Sequence, residues 1–283
     1  MALTWTDRCG MLIAGGKQLE WASWGDRTGD KPIIVMLHEG LGCVALWRDI
    51  PAQVAQATGC PVFAYSRAGY GQSDPADLPL PVDYMTREAM HVLPDVLNAI
   101  DAPQVILMGH SDGATIAAEY AGRIEDFRVR GLILMAPHFF TEPLGLAEIE
   151  RAQQMFDSTD LGAKMAKYHR DAATTFRGWN DAWLNPEFKA WNVGEVIDYI
   201  RIPALVIQGM QDQYGTRAQV DEFVERSYAP VELELLEDCK HSPHFDQTER
   251  VIDLVSEFTA RLIRIEAAKP ETAMPKASTP ESA

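Results

Sequence analysis

The chain has 283 residues but only four cysteines, Cys9, Cys43, Cys60 and Cys239, and none stands in C-x-x-C spacing. Scattered cysteines argue against a metal site built on them and point to free thiols in a reducing cytoplasm. Basic residues are scarce. Lys and Arg number 25 against 41 Asp and Glu, a net charge of −16, which argues against nucleic acid or an anionic membrane as a partner. No apolar run approaches eighteen residues, so no segment is expected to span a membrane. The opening Met1-Ala2-Leu3-Thr4-Trp5-Thr6-Asp7-Arg8 has no basic stretch leading into an apolar one, so no signal peptide is visible. The glycine-rich stretch Ser66 to Asp74 lacks the Lys-Ser/Thr of a P-loop and the third glycine of a dinucleotide fingerprint. No cofactor is expected. The remaining expectation is a cytoplasmic protein acting on a small molecule, with a homodimer left open.

What is present suits one α/β domain carrying an insertion: 47% of residues are hydrophobic and 23% charged. Cys9–Ile13 and Gln18–Trp24 read as antiparallel strands turning at Gly15-Gly16. Continuous apolar runs at Pro32–Leu37, Pro61–Tyr65, Val105–Met108, Val129–Met135, Ala204–Gly209 and Val231–Leu236 read as buried strands. Between them, helical periodicity covers Val44–Thr58, Val82–Ile100 with a kink at Pro94, Thr216–Ser227 with Thr216 as N-cap, and Glu249–Ile265. Alternating strands and helices call for a mostly parallel sheet with helices on both faces.

Phe139 to Tyr199 breaks that rhythm. It holds three helical segments, Gly145–Asp157, Leu161–Thr175 and Pro186–Val196, and no strand. A helical insertion after a strand's carboxyl end would lie over the ligand crevice of an open α/β sheet, so it reads as a cap. The division is then a core of 1–138 and 200–265, a cap of 139–199, and a tail of 266–283 whose Ala, Pro, Glu, Thr, Ser and Lys cannot fill a core.

The stretch that organises the chain is Val105 to Ala118, where an apolar strand runs into Gly109-His110-Ser111-Asp112-Gly113 and then a small-residue helix. A serine at the tip of such a turn needs nearly side-chain-free neighbours two residues away on either side. The following helix aims its N–H groups where negative charge would develop. Two further residues follow later strands: Asp212 after the penultimate and His241 after the last. Carboxyl ends of parallel strands gather on one face, so these loops can meet.

Serine, then acid, then histidine is the chain order of the α/β-hydrolase triad. The sequence resembles that superfamily over roughly residues 9 to 265. Leu37-His38-Glu39-Gly40-Leu41-Gly42 resembles its oxyanion loop, Ser66 to Ser73 the loop after the next strand, and Gly209-Met210-Gln211-Asp212 its acid turn. The inserted segment resembles the lids of small esterases and meta-cleavage C–C hydrolases. The resemblance implies the α/β-hydrolase fold, Ser111 as nucleophile, His241 as base and Asp212 as its orienting acid. It also implies backbone N–H groups of Gly40 and Asp112 as the oxyanion hole, each worth roughly 3 kcal/mol.

His244 and Asp238 rival His241 and Asp212. However, Gln247 and Val251 fit the family's helix start better from His241, and Asp238 sits on the histidine's own turn. His244 is then a surface or pocket-rim residue, and His38 braces the oxyanion loop. Two positions depart from the family pattern: Glu39 stands where a glycine is usual, and Asp112 where a neutral residue is common. Ordinary ion pairing is expected for both, with Arg67 at hand to neutralise one.

His138, Phe139, Trp179 and Trp183 are expected to contact substrate in a mostly apolar pocket. The implied activity is hydrolysis of a carboxylic ester, thioester or lactone through an acyl-enzyme. A serine at the elbow argues against haloalkane dehalogenases and epoxide hydrolases, whose relatives use aspartate there. The alternatives are a C–C bond hydrolase or lyase with the same triad, and a ligand binder of this fold without turnover.

Overall fold

Strands such as Ile33–Leu37 have no polar face, so they need cover on both sides, and the sheet is built around that need. The computed structural model describes residues 8–27 and 29–268. Its strands are β1 (Cys9–Ala14), β2 (Lys17–Trp24), β3 (Ile33–Leu37), β4 (Val62–Tyr65), β5 (Val105–His110), β6 (Val129–Met135), β7 (Ala204–Gly209) and β8 (Val231–Leu236). They form one eight-stranded sheet in the order β1-β2-β4-β3-β5-β6-β7-β8. β2 is antiparallel to β1 and to β4, and every other pairing is parallel. This is the α/β-hydrolase fold expected from the sequence.

Alternation along each strand divides the core into two. Ile34, Met36, Ile106 and Met108 point to the face covered by helices Ile50–Thr58 and Thr248–Ala267. Val35, Leu37 and Leu107 point to the face covered by Leu93–Ile100 and Asp112–Arg123.

Helix boundaries differ from the sequence periodicity where the backbone has its own demands. The helix expected over Val44–Thr58 is a 3-10 turn, Val44–Trp47, and then a helix, Ile50–Thr58, separated at Arg48 with φ of 53°. Pro51 explains the break, since proline suits a helix's first turn and not its interior. The kink expected at Pro94 is a π turn, Glu88–Val92, leading into Leu93–Ile100.

The expected Leu161–Thr175 helix is likewise two, Leu161–Met165 and Ala172–Trp183. Asp171 starts the second by accepting the Thr174 N–H at 3.0 Å. Pro186–Val196 resolves into 3-10 turns at Pro186–Ala190 and Gly194–Tyr199. The helix expected from Thr216 is Ala218–Arg226 with Arg217 in the N-cap position, and the Thr216 hydroxyl, which donates to Glu142 at 2.6 Å, accepts the Ala218 N–H at 3.2 Å.

Pro143–Ser158, Leu161–Met165, Ala172–Trp183 and the two 3-10 turns up to Tyr199 form the insertion between β6 and β7. Its last turn, Gly194–Tyr199, packs on the core helix Asp112–Arg123. The final helix, Thr248–Ala267, continues past Glu266, where the tail was expected to begin. Residues 269–283 of that tail and the first seven residues lie outside the described residues. Among the described residues no helix is long and apolar enough to cross a membrane.

Candidate active site

β5 ends at His110 and the next helix begins at Asp112, so Ser111 must make the whole turn itself. It does so at φ 53°, ψ −120°, a conformation that costs a side chain on the order of 1–3 kcal/mol. The neighbours have no room for a side chain. A Cβ at Gly109 would overlap the Gly113 carbonyl, and one at Gly113 would overlap the Leu37 carbonyl of β3. The Ser111 N–H donates to Met135 at 2.9 Å, which ties the elbow to β6.

Asp212 and His241 come from the ends of β7 and β8. A Cβ at Gly209 would overlap the Lys240 carbonyl, so the two turns lie against each other. His241 Nδ1 donates to the Asp212 carboxylate at 2.8 and 2.9 Å, which leaves Nε2 as the acceptor. The carboxylate also accepts from the Tyr214 N–H at 2.8 Å and from Gln208 Nε2 at 2.9 Å. Burial alone would raise the Asp212 pKa, but the charge and hydrogen bond of His241, with the Tyr214 N–H, bring it to about 2. From behind, His110 Nε2 donates to the His241 carbonyl at 2.7 Å.

Ser111 and His241 line one cavity of about 100 Å³, with Gly40 and Asp112 beside the serine. Leu41, Ile149, Trp179, Trp183 and Tyr214 form its apolar wall. The carboxylate on His241 is therefore Asp212, and Asp238 makes no such pairing. His244 is not at the surface or the pocket rim as expected. It is buried at 1% exposure, with its ring 5.2 Å from that of Trp47 and 4.7 Å from that of His110. Proline at 243 starts a short helix there that turns the ring inward, and burial holds the imidazole pKa well below its ordinary value.

His38 braces the loop that carries Gly40. Its Nδ1 donates to the Glu39 carbonyl at 2.7 Å and its Nε2 accepts the Arg67 N–H at 3.0 Å, which fixes a neutral ring. Burial, and then the Arg67 charge, hold its pKa well down. The Arg67 guanidinium donates to the carbonyls of His38 at 2.6 Å and Glu39 at 3.1 Å, and lies 3.5 Å from the Asp112 carboxylate. Tyr84 donates its hydroxyl proton to Asp112 at 2.5 Å and accepts from Trp183 Nε1 at 3.0 Å. Burial still raises the Asp112 carboxyl, with Arg67 and Tyr84 opposing it.

Glu39 lines the cavity with its carboxylate 3.7 Å from His110 Nδ1. Burial works against its charge, but the His110 ring outweighs that and holds the carboxyl well below the usual range. Of the two unusual carboxylates, Asp112 is thus paired with a guanidinium, whereas the neighbour of Glu39 is an imidazole.

Of the four residues expected to contact substrate, His138, Trp179 and Trp183 line the cavity and Phe139 does not. Phe139 is fully buried against Phe223, centroids 5.6 Å apart, and its N–H donates to Gln219 at 2.7 Å. The anchored backbone turns its side chain to the opposite side from His138. Leu41, Ile149 and Tyr214 were not anticipated; Tyr214 had a signal, since it follows Asp212 by two residues on the same turn. Among the described residues no group of three or more His, Cys, Asp or Glu side chains could hold a metal ion.

A model of the alpha/beta hydrolase family matches residues 34–254. The chain is 26% identical over 208 residues to serine hydrolase BPHL of Mus musculus, covering 70% of this chain and 68% of that one. It spans 46% of the length of some other curated relatives that it matches. Among solved structures it is similar to the enol-lactonase from Burkholderia xenovorans LB400, with TM-score 0.69, 18% identity, and 89% and 100% of the two chains covered. It is also similar to the meta-cleavage product hydrolase from Pseudomonas fluorescens IP01, with TM-score 0.63, 20% identity, and 89% and 97% covered. At those identities the two structures speak to the fold alone.

Proposed function

The chain belongs to the alpha/beta hydrolase family, and from that premise we propose that it is a serine hydrolase cleaving a carboxylic ester, thioester or lactone of a small, mostly apolar substrate. The observation that carries this reading is the Asp212–His241 hydrogen bond at 2.8 Å, opening onto the same cavity as the strained Ser111. A pure binder would have no need to hold three such groups together at the cost of backbone strain.

The roles follow from the chemistry of each group. A serine hydroxyl is a weak nucleophile at neutral pH and needs a base. His241 Nε2 takes its proton as Oγ attacks the carbonyl carbon, and Asp212 stabilises the imidazolium that forms. The N–H groups of Gly40 and Asp112 receive the oxyanion, each supplying roughly 3 kcal/mol. His241 then protonates the leaving oxygen or sulfur, and the acyl group remains on Ser111. Water activated by the same histidine releases the acid. The small apolar wall supports a small, apolar acyl or alcohol part.

The test is intact-protein mass after a fluorophosphonate probe, on wild type and on Ser111→Ala. One adduct on the wild type and none on the variant is the expected result. An unmodified wild type that is folded overturns the reading. C–C bond cleavage by the same residues is a second reading, favoured by the likeness in fold to a meta-cleavage product hydrolase. A vinylogous diketone cleaved faster than any ester would put it first.

A further inference from the structure

His138 is the one histidine on the cavity wall besides His241, and neither of its ring nitrogens has a hydrogen-bond partner among the described residues. The residue is nevertheless firmly placed. Thr115, one turn along the elbow helix, grips its backbone from both sides: the hydroxyl donates to the His138 carbonyl at 2.7 Å and accepts the His138 N–H at 3.2 Å. Ala136, just before it, takes a φ of 48° to aim the loop. The ring stands edge-on to Trp183 with centroids 5.6 Å apart, and lies 5.6 Å from the ring of His241. On the side facing the acid turn, a Cβ at Gly215 would come within 3.1 Å of the His138 ring. Burial first, and the neighbouring His241 second, lower its pKa to about 3, so at neutral pH it is an uncharged imidazole. Such a ring offers one donor and one acceptor on a mostly apolar wall, and a substrate that displaces water from that wall has to supply the partner itself.

The partner missing from the protein is then a substrate atom. The side it occupies is set by His241, which hands its proton to the leaving group, whereas the carbonyl oxygen faces Gly40 and Asp112. Its charge is set by the surroundings. A carboxylate there would share the cavity with Glu39 and meet an imidazole that carries no positive charge. Resting on the serine-hydrolase reading, we propose that His138 is a specificity residue that pairs with an uncharged oxygen, a hydroxyl or ketone, on the leaving-group side of the scissile bond. The substrate class is accordingly esters of oxygenated alcohols, or lactones bearing such an oxygen, rather than plain alkyl esters.

Three esters of one acid and similar size test this: propyl, 2-hydroxyethyl and carboxymethyl butyrate, compared by kcat/KM. The wild type is expected to favour the hydroxyethyl over the propyl ester by about tenfold or more, with the carboxymethyl ester last. In His138→Phe the first ratio falls to near one, and His138→Asn, which keeps a donor and an acceptor, retains part of it. A wild type without the preference, a His138→Phe protein that keeps it, or an enzyme that cleaves none of the three while Ser111 still takes the fluorophosphonate each overturns the proposal. Absence of labelling on the folded wild type instead overturns the serine-hydrolase reading beneath it, so the two failures are distinct.

Discussion

The floor of the cavity and its roof are held by different forces. On the floor, polar groups are tied to one another. Arg67 reaches the His38 and Glu39 carbonyls and Asp112, Asp112 takes the Tyr84 hydroxyl, and Asp212 accepts from His241, Tyr214 and Gln208. The roof is mostly aromatic stacking: Phe156 lies flat on Phe176 at 4.1 Å, and Trp183 packs at 4.4 Å from Phe188 and 5.9 Å from Trp191. The polar ties from roof to floor gather on the loop from Gly69 to Gln72: His169 accepts the Gly71 N–H and reaches the Leu41 carbonyl, Arg170 donates to the Gly71 and Gln72 carbonyls, and the Thr175 hydroxyl donates to the Gly69 carbonyl; over the cavity itself the tie is Trp183 to Tyr84. Directional bonds fix distances to a few tenths of an ångström, whereas apolar packing tolerates exchange of similar volumes. The floor is therefore suited to chemistry and the roof to selection.

That contrast can be broken most severely at the floor. Asp212→Asn leaves the shape intact but removes the acceptor that sets the His241 tautomer, and kcat on any cleaved ester should fall by about 10⁴-fold. A fall below tenfold would mean that the acid is not part of the machinery. Next in size, Arg67→Met strands the Asp112 carboxylate at 1% exposure, and denaturant titration should show a loss of about 3–5 kcal/mol. Adding Asp112→Asn should recover part of it. A full-sized loss in the double variant would assign the effect to the backbone contacts of Arg67 alone.

A smaller effect depends on pH. Unfolded, His138 titrates near its ordinary value of about 6.5, but folded it refuses the proton until about 3. The unfolded chain thus binds more protons in that window, and stability falls as pH falls. From pH 6.5 to 5 this residue should account for about 2 kcal/mol of the wild-type loss. His138→Phe should be less acid-sensitive by that amount in urea titrations at the two pH values, and equal slopes would place the ring's proton elsewhere. The smallest effect is at the roof. Trp183→Phe loses the bond to Tyr84 and part of the ring volume packed on Phe188 and Trp191, so about 1–2 kcal/mol, or roughly 3–5 °C in Tm, is expected. A drop several times larger would show that the roof does not tolerate exchange at this position.

The sheet and the turns that carry the site were legible in the sequence, because each core strand is a short apolar run that ends in the residue that matters. Ser111 and Asp212 followed from the elbow pattern, chain order and the carboxyl-end rule, and the choice of His241 over His244 also drew on the family's helix start at Gln247 and Val251. Arg67 was legible as a counter-ion for one of Glu39 and Asp112, although neither its choice of Asp112 nor its grip on two carbonyls was. What stayed hidden depends on partners far along the chain. His244 is buried because Trp47, nearly two hundred residues earlier, closes over it. Phe139 looked like its neighbour His138, and only the Gln219 contact decides which of them faces the cavity. Helix breaks at Arg48 and near Asp171 follow from a proline and a cap competing with periodicity, and period alone cannot weigh them.

The close seating of Gly209 against the Lys240 carbonyl has a consequence for how this site could drift or be tuned. The acid turn and the histidine turn are set against each other as two machined faces with no shim between them. A single methyl inserted at position 209 would jack them apart, displacing the imidazole from the serine while leaving every reacting group in the chain. Alignment here is thus encoded by a missing side chain, and a catalogue of reactive residues alone would pass over the position on which their spacing depends.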